Sequence, residues 1–180
     1  MRIIAGVFKG RVLRTACGPG YRPATGRVRE ALFSTLGSLG VCWQGAQVAD
    51  VFAGSGALGL EALSRGASQA VFVELAASAA RVLQDNIRFL GLTAAQAVVV
   101  RMDALRWVQR ASGPYHVVFV DPPYGRGLLA PVLAALPALL APGAVVVAET
   151  EASLDVPPTP WNLVRDTLYG QTRIRIWQSE

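Results

Sequence analysis

Asp50-Val51-Phe52-Ala53-Gly54-Ser55-Gly56-Ala57-Leu58-Gly59 is the segment on which the architecture of this chain turns. A short apolar run at 48–52 leads into it, and apolar residues at helical spacing over 58–65 follow. Strand, glycine-rich turn and helix in that order form the first half of a βαβ unit. The alternation continues outward, with strands at 70–73, 97–100, 117–120 and 144–148. Helices are predicted over 76–90, 104–110 and 128–140, the last broken by Pro137. A further helix over 28–39 precedes the first strand, and segments 162–168 and 172–177 flank Tyr169-Gly170-Gln171 as a terminal hairpin. This pattern predicts an α/β protein whose mainly parallel sheet carries helices on both faces, with antiparallel strands at one edge. Its ligands belong beyond the carboxyl ends of the strands.

The 180 residues fit one domain, spanning 1–180, with 52% hydrophobic residues to fill a core. The apolar stretch 128–141 is interrupted by Pro131 and Pro137 and is shorter than the roughly 20 residues a spanning helix needs. Residues 1–8 hold no apolar run long enough for a secretory signal before Lys9 and Arg11. Cys17 and Cys42 form no Cys-x-x-Cys pair, and His116 is the lone histidine, so neither a disulfide scaffold nor a zinc site is expected. The expected location is the cytoplasm.

The charge is concentrated. Arg2, Lys9, Arg11, Arg14, Arg22, Arg27 and Arg29 face Glu30 alone, giving residues 1–40 a net charge of +6, against −1 for the remainder. Residues 1–20 alternate apolar and basic segments punctuated by Gly6, Gly10, Gly18 and Gly20, and read as a basic β-hairpin appended to a core at 47–180. A basic arm on a neutral body points to an anionic macromolecule such as a nucleic acid.

Gly54-x-Gly56-x-x-Gly59 matches a dinucleotide fingerprint, and Glu74 stands where an acid grips ribose hydroxyls, so a nicotinamide enzyme is the first rival. Asp50, inside the strand end, suits a ligand with a cationic group rather than a pyrophosphate. Asp103 follows the third strand, where it could accept from an adenine amine. Three acids at successive strand ends favour a ligand bearing an ammonium, a ribose and an adenine.

Val117-Val118-Phe119-Val120-Asp121-Pro122-Pro123-Tyr124 carries the sharpest chemistry. Two prolines fix an extended bend that can aim the Asp121 carboxylate and the Pro122 carbonyl at one point. Both accept hydrogen bonds, and an exocyclic base amine has two protons to give. Tyr124 offers a face for stacking. The base must be unpaired or flipped out to reach them.

At these residues the chain resembles the class I methyltransferases that use S-adenosylmethionine, whose signature for exocyclic amines of nucleobases is Asp-Pro-Pro-Tyr. Met1-Arg2-Ile3-Ile4-Ala5-Gly6, Lys9-Gly10-Arg11, Arg22-Pro23, Arg27-Val28-Arg29-Glu30-Ala31-Leu32-Phe33 and Phe52-Ala53-Gly54-Ser55-Gly56 together resemble the bacterial RsmD family. The resemblance implies a Rossmann-like fold with a seven-stranded, mostly parallel sheet. It also implies methylation of guanine N2 in 16S ribosomal RNA, within a small-subunit assembly intermediate, by a monomer needing no metal. Amine methylation of adenine or cytosine in DNA, or RNA binding without catalysis, are the alternatives.

Carried onto this chain, the resemblance implies cofactor contacts from Asp50, Phe52, Ala53, Gly54, Ser55, Gly56, Glu74 and Asp103. Asp121, Pro122 and Tyr124 would hold the guanine amine. RNA would meet Arg2, Lys9, Arg11, Arg14, Arg22, Pro23, Arg27 and Tyr124. Ala24 and Gly26 stand where the family usually has Thr and Asp.

Overall fold

A computed structural model describes residues 1–16, 26–154, 156 and 158–180. In chain order the elements are α1 (Gly26–Ser38), β1 (Gln47–Val51), α2 (Ala57–Ser64), β2 (Gln69–Val73), α3 (Ala77–Leu90) and β3 (Ala97–Val100). They continue with α4 (Ala104–Val108), β4 (Tyr115–Val120), α5 (Leu129–Ala135), β5 (Leu140–Glu151), β6 (Asn162–Tyr169) and β7 (Thr172–Gln178). The seven strands form one sheet in the order β3-β2-β1-β4-β5-β7-β6. β1 to β5 run parallel, and β7 lies antiparallel between β5 and β6. The strand order reverses between β1 and β4, which opens a crevice at their carboxyl ends.

Each face of the sheet is covered because the inner strands are apolar on both sides. On one face Val48, Phe72, Phe119 and Val147 pack under Leu32, Leu36, Leu60 and Leu83 from α1, α2 and α3. On the other, Val51, Val118 and Val146 pack under Trp107, Val132 and Leu133 from α4 and α5. Pro137 ends α5 and starts a single 3-10 turn, Pro137–Leu139, as its missing N–H requires. β5 begins earlier and ends later than the apolar run 144–148, because its extra residues keep pairing with β4 and β7. His116 belongs to β4, where its Nδ1 accepts the Gln47 N–H at 3.0 Å.

The N-terminal arm, expected from its sequence to form a hairpin over 1–20, is described as far as residue 16. Residues 1–16 hold one antiparallel bridge, Arg2 with Val12, and no strand; residues 17–20 lie outside the described residues. Ile4 and Ala5 give their N–H groups to the Glu61 carboxylate at 2.8 and 3.0 Å. Phe8 N–H meets Ser64 Oγ at 3.0 Å, and Val7 N–H meets the Ser64 carbonyl at 2.8 Å. The arm closes on itself, through Ile3 N–H to the Arg11 carbonyl at 3.0 Å, Gly10 N–H to the Ile3 carbonyl at 2.9 Å and Leu13 N–H to the Met1 carbonyl at 2.6 Å, and it also docks on α2. Gly6 permits the approach: its φ is +82°, and a Cβ there would sit 1.7 Å from the Ser64 carbonyl oxygen.

Glu61 is fully buried and also takes the Arg65 Nε at 2.8 Å. Removing it orphans two backbone donors and a guanidinium. Glu61→Ala is expected to lower stability by about 3 kcal/mol, with Glu61→Gln losing less because it keeps one acceptor. Urea denaturation, followed by the shift in midpoint at constant slope, checks this.

Candidate active site

The carboxyl ends of β1 and β2 build one half of the site. Asp50 is buried on β1, and its Oδ2 accepts the Gly59 N–H at 2.9 Å. Burial lifts its carboxyl to about 7; the Gly59 bond opposes this and the charge of Glu74 adds to it. Gly59 allows the contact, since a Cβ would lie 2.3 Å from the Phe72 ring and 3.1 Å from Asp50 Oδ2. The turn that follows β1 is tightly wound. Phe52, Gly54 and Gly56 have φ of +70°, +55° and +85°, and Phe52 is the only non-glycine residue among those described with positive φ. Ala53, Gly54, Ser55 and Gly56 are all buried.

Glu74 holds this turn. Its Oε2 accepts the Gly54 N–H at 2.8 Å and its Oε1 accepts the Ala76 N–H at 2.7 Å. The acid read from sequence as a ribose contact therefore also shapes the glycine loop. Asp103 has a structural duty as well: its Oδ1 accepts the Arg106 N–H at 3.0 Å and caps α4. From α3, Asn86 donates to the Ser55 carbonyl at 3.0 Å and pairs with Arg14 through both its N–H and its carbonyl.

β4 and β5 build the other half. Asp121 follows β4, its N–H bonded to the Val51 carbonyl at 3.3 Å, and its side chain is half-buried. Pro122 is buried, while Pro123 and Tyr124 are exposed. The Tyr124 hydroxyl pairs with Thr172 Oγ1 at 3.2 Å, and Gly125 N–H meets Glu151 Oε1 at 3.3 Å. A cleft of about 70 Å³ opens beside the tyrosine, lined by Pro122, Pro123, Leu129, Thr150 and Leu154.

Sequence reasoning missed Glu149. It sits on β5, buried, at the same edge as Asp50 and Asp121. Burial lifts its carboxyl to about 7. Asp121 is pushed well above the usual carboxylate range by burial, then by the charges of Glu149 and Asp50. The signal was present: Ala148-Glu149-Thr150-Glu151 places an acid at the end of an apolar strand, as in the other strands that were read.

Arg2, Lys9, Arg11, Arg14 and Arg27 are exposed. Arg11 lies over the Phe89 ring at 5.5 Å, and Arg14 pairs with Asp85 at 3.5 Å. Arg22 and Pro23 lie outside the described residues. Arg29 differs from the other arginines of this region. It is buried, donates Nη2 to the Arg2 carbonyl at 3.1 Å, and has its pKa lowered by burial against the opposing charge of Glu61.

The model of the family described as Conserved hypothetical protein 95 matches residues 1–178. The Escherichia coli K12 protein named ribosomal RNA small subunit methyltransferase D is 41% identical over 184 residues, covering 100% of this chain and 90% of that protein. The solved yhhF structure from Escherichia coli superposes with a TM-score of 0.86 at 41% identity, over 100% of this chain and 98% of that one. The fold alone extends to a Thermus thermophilus 16S rRNA N2 G1207 methyltransferase solved with AdoMet and guanosine. There the TM-score is 0.70 at 22% identity, covering 92% of this chain and 45% of that one. A family match along nearly the whole chain, with this identity to a ribosomal RNA methyltransferase, places the protein in the Conserved hypothetical protein 95 family, the RsmD methyltransferases.

Proposed function

We propose that this protein transfers a methyl group from S-adenosylmethionine to the N2 amine of a guanine in 16S ribosomal RNA. The observation that carries the reading is Asp121-Pro122-Pro123-Tyr124 at the β4 edge, across the crevice from the glycine turn that Glu74 holds. The name of the 41%-identical relative, a small-subunit ribosomal RNA methyltransferase, supports the substrate class. The family resemblance supports guanine N2.

The donor set fits the cofactor. Asp50 engages Gly59 through one oxygen, leaving the other for a cationic group. Asp50, the 52–56 turn, Glu74 and Asp103 would hold the ammonium, ribose and adenine. Bound there, S-adenosylmethionine supplies a methyl group on a positively charged sulfur. Asp121 and the Pro122 carbonyl orient the amine by accepting its two protons. Tyr124, anchored by Thr172, stacks on the base. As positive charge grows on the nitrogen, the Asp121 carboxylate holds it more strongly than it holds the resting amine, which lowers the barrier, and the same carboxylate receives the one proton the nitrogen gives up on methylation. The exposed cations of the arm and of the α1 start hold the RNA backbone.

Asp121→Ala is expected to cut single-turnover methyl transfer about a hundredfold to a thousandfold with cofactor affinity little changed, and Asp121→Asn to retain more. Unchanged turnover in a folded Asp121→Ala protein would remove the residue from the chemistry. Calorimetry should show S-adenosylmethionine binding and no NAD binding. Because a cationic ligand favours ionised Asp50, whose carboxyl sits at about 7, affinity should rise with pH from 6 to 8, by up to about tenfold per unit below 7. Asp50→Asn should flatten that profile. Finally, Lys9→Glu with Arg11→Glu leaves the buried anchors of the arm intact. It should weaken RNA binding and reduce the slope of log affinity against log salt by about 0.7 per lost single-strand contact. Filter binding across a salt series checks it.

A further inference from the structure

Glu149 is only 7% exposed, yet no group among the described residues gives its carboxylate a hydrogen bond. A buried acceptor in that condition needs a donor from elsewhere. Its position says from where. Val120 of β4 pairs with Ala148 of β5, so Asp121 and Glu149 continue that register side by side. Phe119 and Val147, each two residues earlier in its strand, pack in the same core cluster, so the two acids face the same side of the sheet. The charge of Glu149 is felt at both Asp121 and Tyr124, which sets it beside the acid aligned with the amine and the ring that carries the base. Among the described residues no three His, Cys, Asp or Glu side chains are grouped to hold a metal ion. The donor then comes from the crevice onto which the carboxylate opens, as water in the free protein and as an N–H of a bound base in the complex.

The bases differ in what they place next to their exocyclic amine. Guanine carries N1–H beside N2, so three protons line one edge. Adenine has a bare N1 beside N6, and cytosine a bare N3 beside N4. Either bare nitrogen would turn a lone pair toward Glu149. Resting on the guanine-N2 reading above, we propose that Glu149 is the residue that selects guanine: its carboxylate accepts the N1–H while Asp121 and the Pro122 carbonyl accept the two protons of N2. The N1–H supplies the donor that the protein withholds, and a base lacking it leaves Glu149 buried against a second acceptor.

The test uses 2-aminopurine, which keeps the 2-amine and lacks N1–H. The guanine methylated by the wild-type protein is first located with a labelled methyl donor on 16S RNA, free and in small-subunit particles. If no guanine is labelled, the proposal falls together with the function it rests on. That nucleotide is then replaced by 2-aminopurine in RNA joined by splint ligation, in whichever form is the substrate. The wild type should favour guanine by about a hundredfold or more in kcat/KM. Glu149→Gln presents an amide N–H to the bare N1, so it should lose rate on guanine, gain on 2-aminopurine and shrink the preference at least about tenfold, with cofactor affinity unchanged. Labelled guanine together with equal wild-type rates on the two bases would overturn the selectivity while leaving the methyltransferase reading intact, and this comparison needs no variant. A folded, cofactor-binding Glu149→Gln protein that keeps the full preference would overturn it as well.

Discussion

The hydrogen bond from Gly59 N–H to Asp50 Oδ2 seats α2 against the sheet, and it exists because position 59 has no side chain. A Cβ there would enter the Phe72 ring, so α2 could not lie this close to β1 and β2. With α2 in place its N-terminal end closes the glycine turn, and its far end presents Glu61 and Ser64 to the arm. One eight-residue helix therefore sets the geometry of two surfaces. Its length leaves little room to adjust one without the other.

The carboxyl edge of the sheet is acidic in a way the net charge hides. Asp50, Asp121 and Glu149 share one face, and burial, reinforced at Asp50 and Asp121 by a neighbouring carboxylate, raises all three. The ion pairs of the described residues lie elsewhere, at Asp85, Glu61 and Asp166. Unpaired carboxylates are costly to keep in such a place. The arrangement favours ligands that bring positive charge and N–H donors, while exposed cations gather on the arm. The two signs of charge occupy separate surfaces.

Much of this was legible in the residues. The alternation of apolar runs and helical spacing gave the parallel strands, and Asp50, Glu74 and Asp121 fell at strand ends as read. Pro137 broke its helix where its missing N–H demanded. The rest depends on which partners the polar groups find once the chain is folded. Ile4 and Ala5 give their N–H groups to Glu61, more than fifty positions away, a contact no local pattern in the arm announces. Asp103, read as an adenine contact, also caps α4 with one of its oxygens, a local role that its place after a strand did not announce. Glu149 was hidden because β5 outlasts its apolar run, and the pairing that extends it comes from β7.

Asn86 ties the Arg14 backbone and the Ser55 carbonyl to one amide, so the basic arm and the glycine turn are joined by a single side chain on α3. This makes the arm a poor candidate for transplantation. Grafted onto another methyltransferase of similar fold, it would arrive without Glu61, Ser64 and Asn86 to receive its backbone, and would hang as a loose cationic tail. Moving the arm to a new host would mean moving the faces of α2 and α3 that it covers as well.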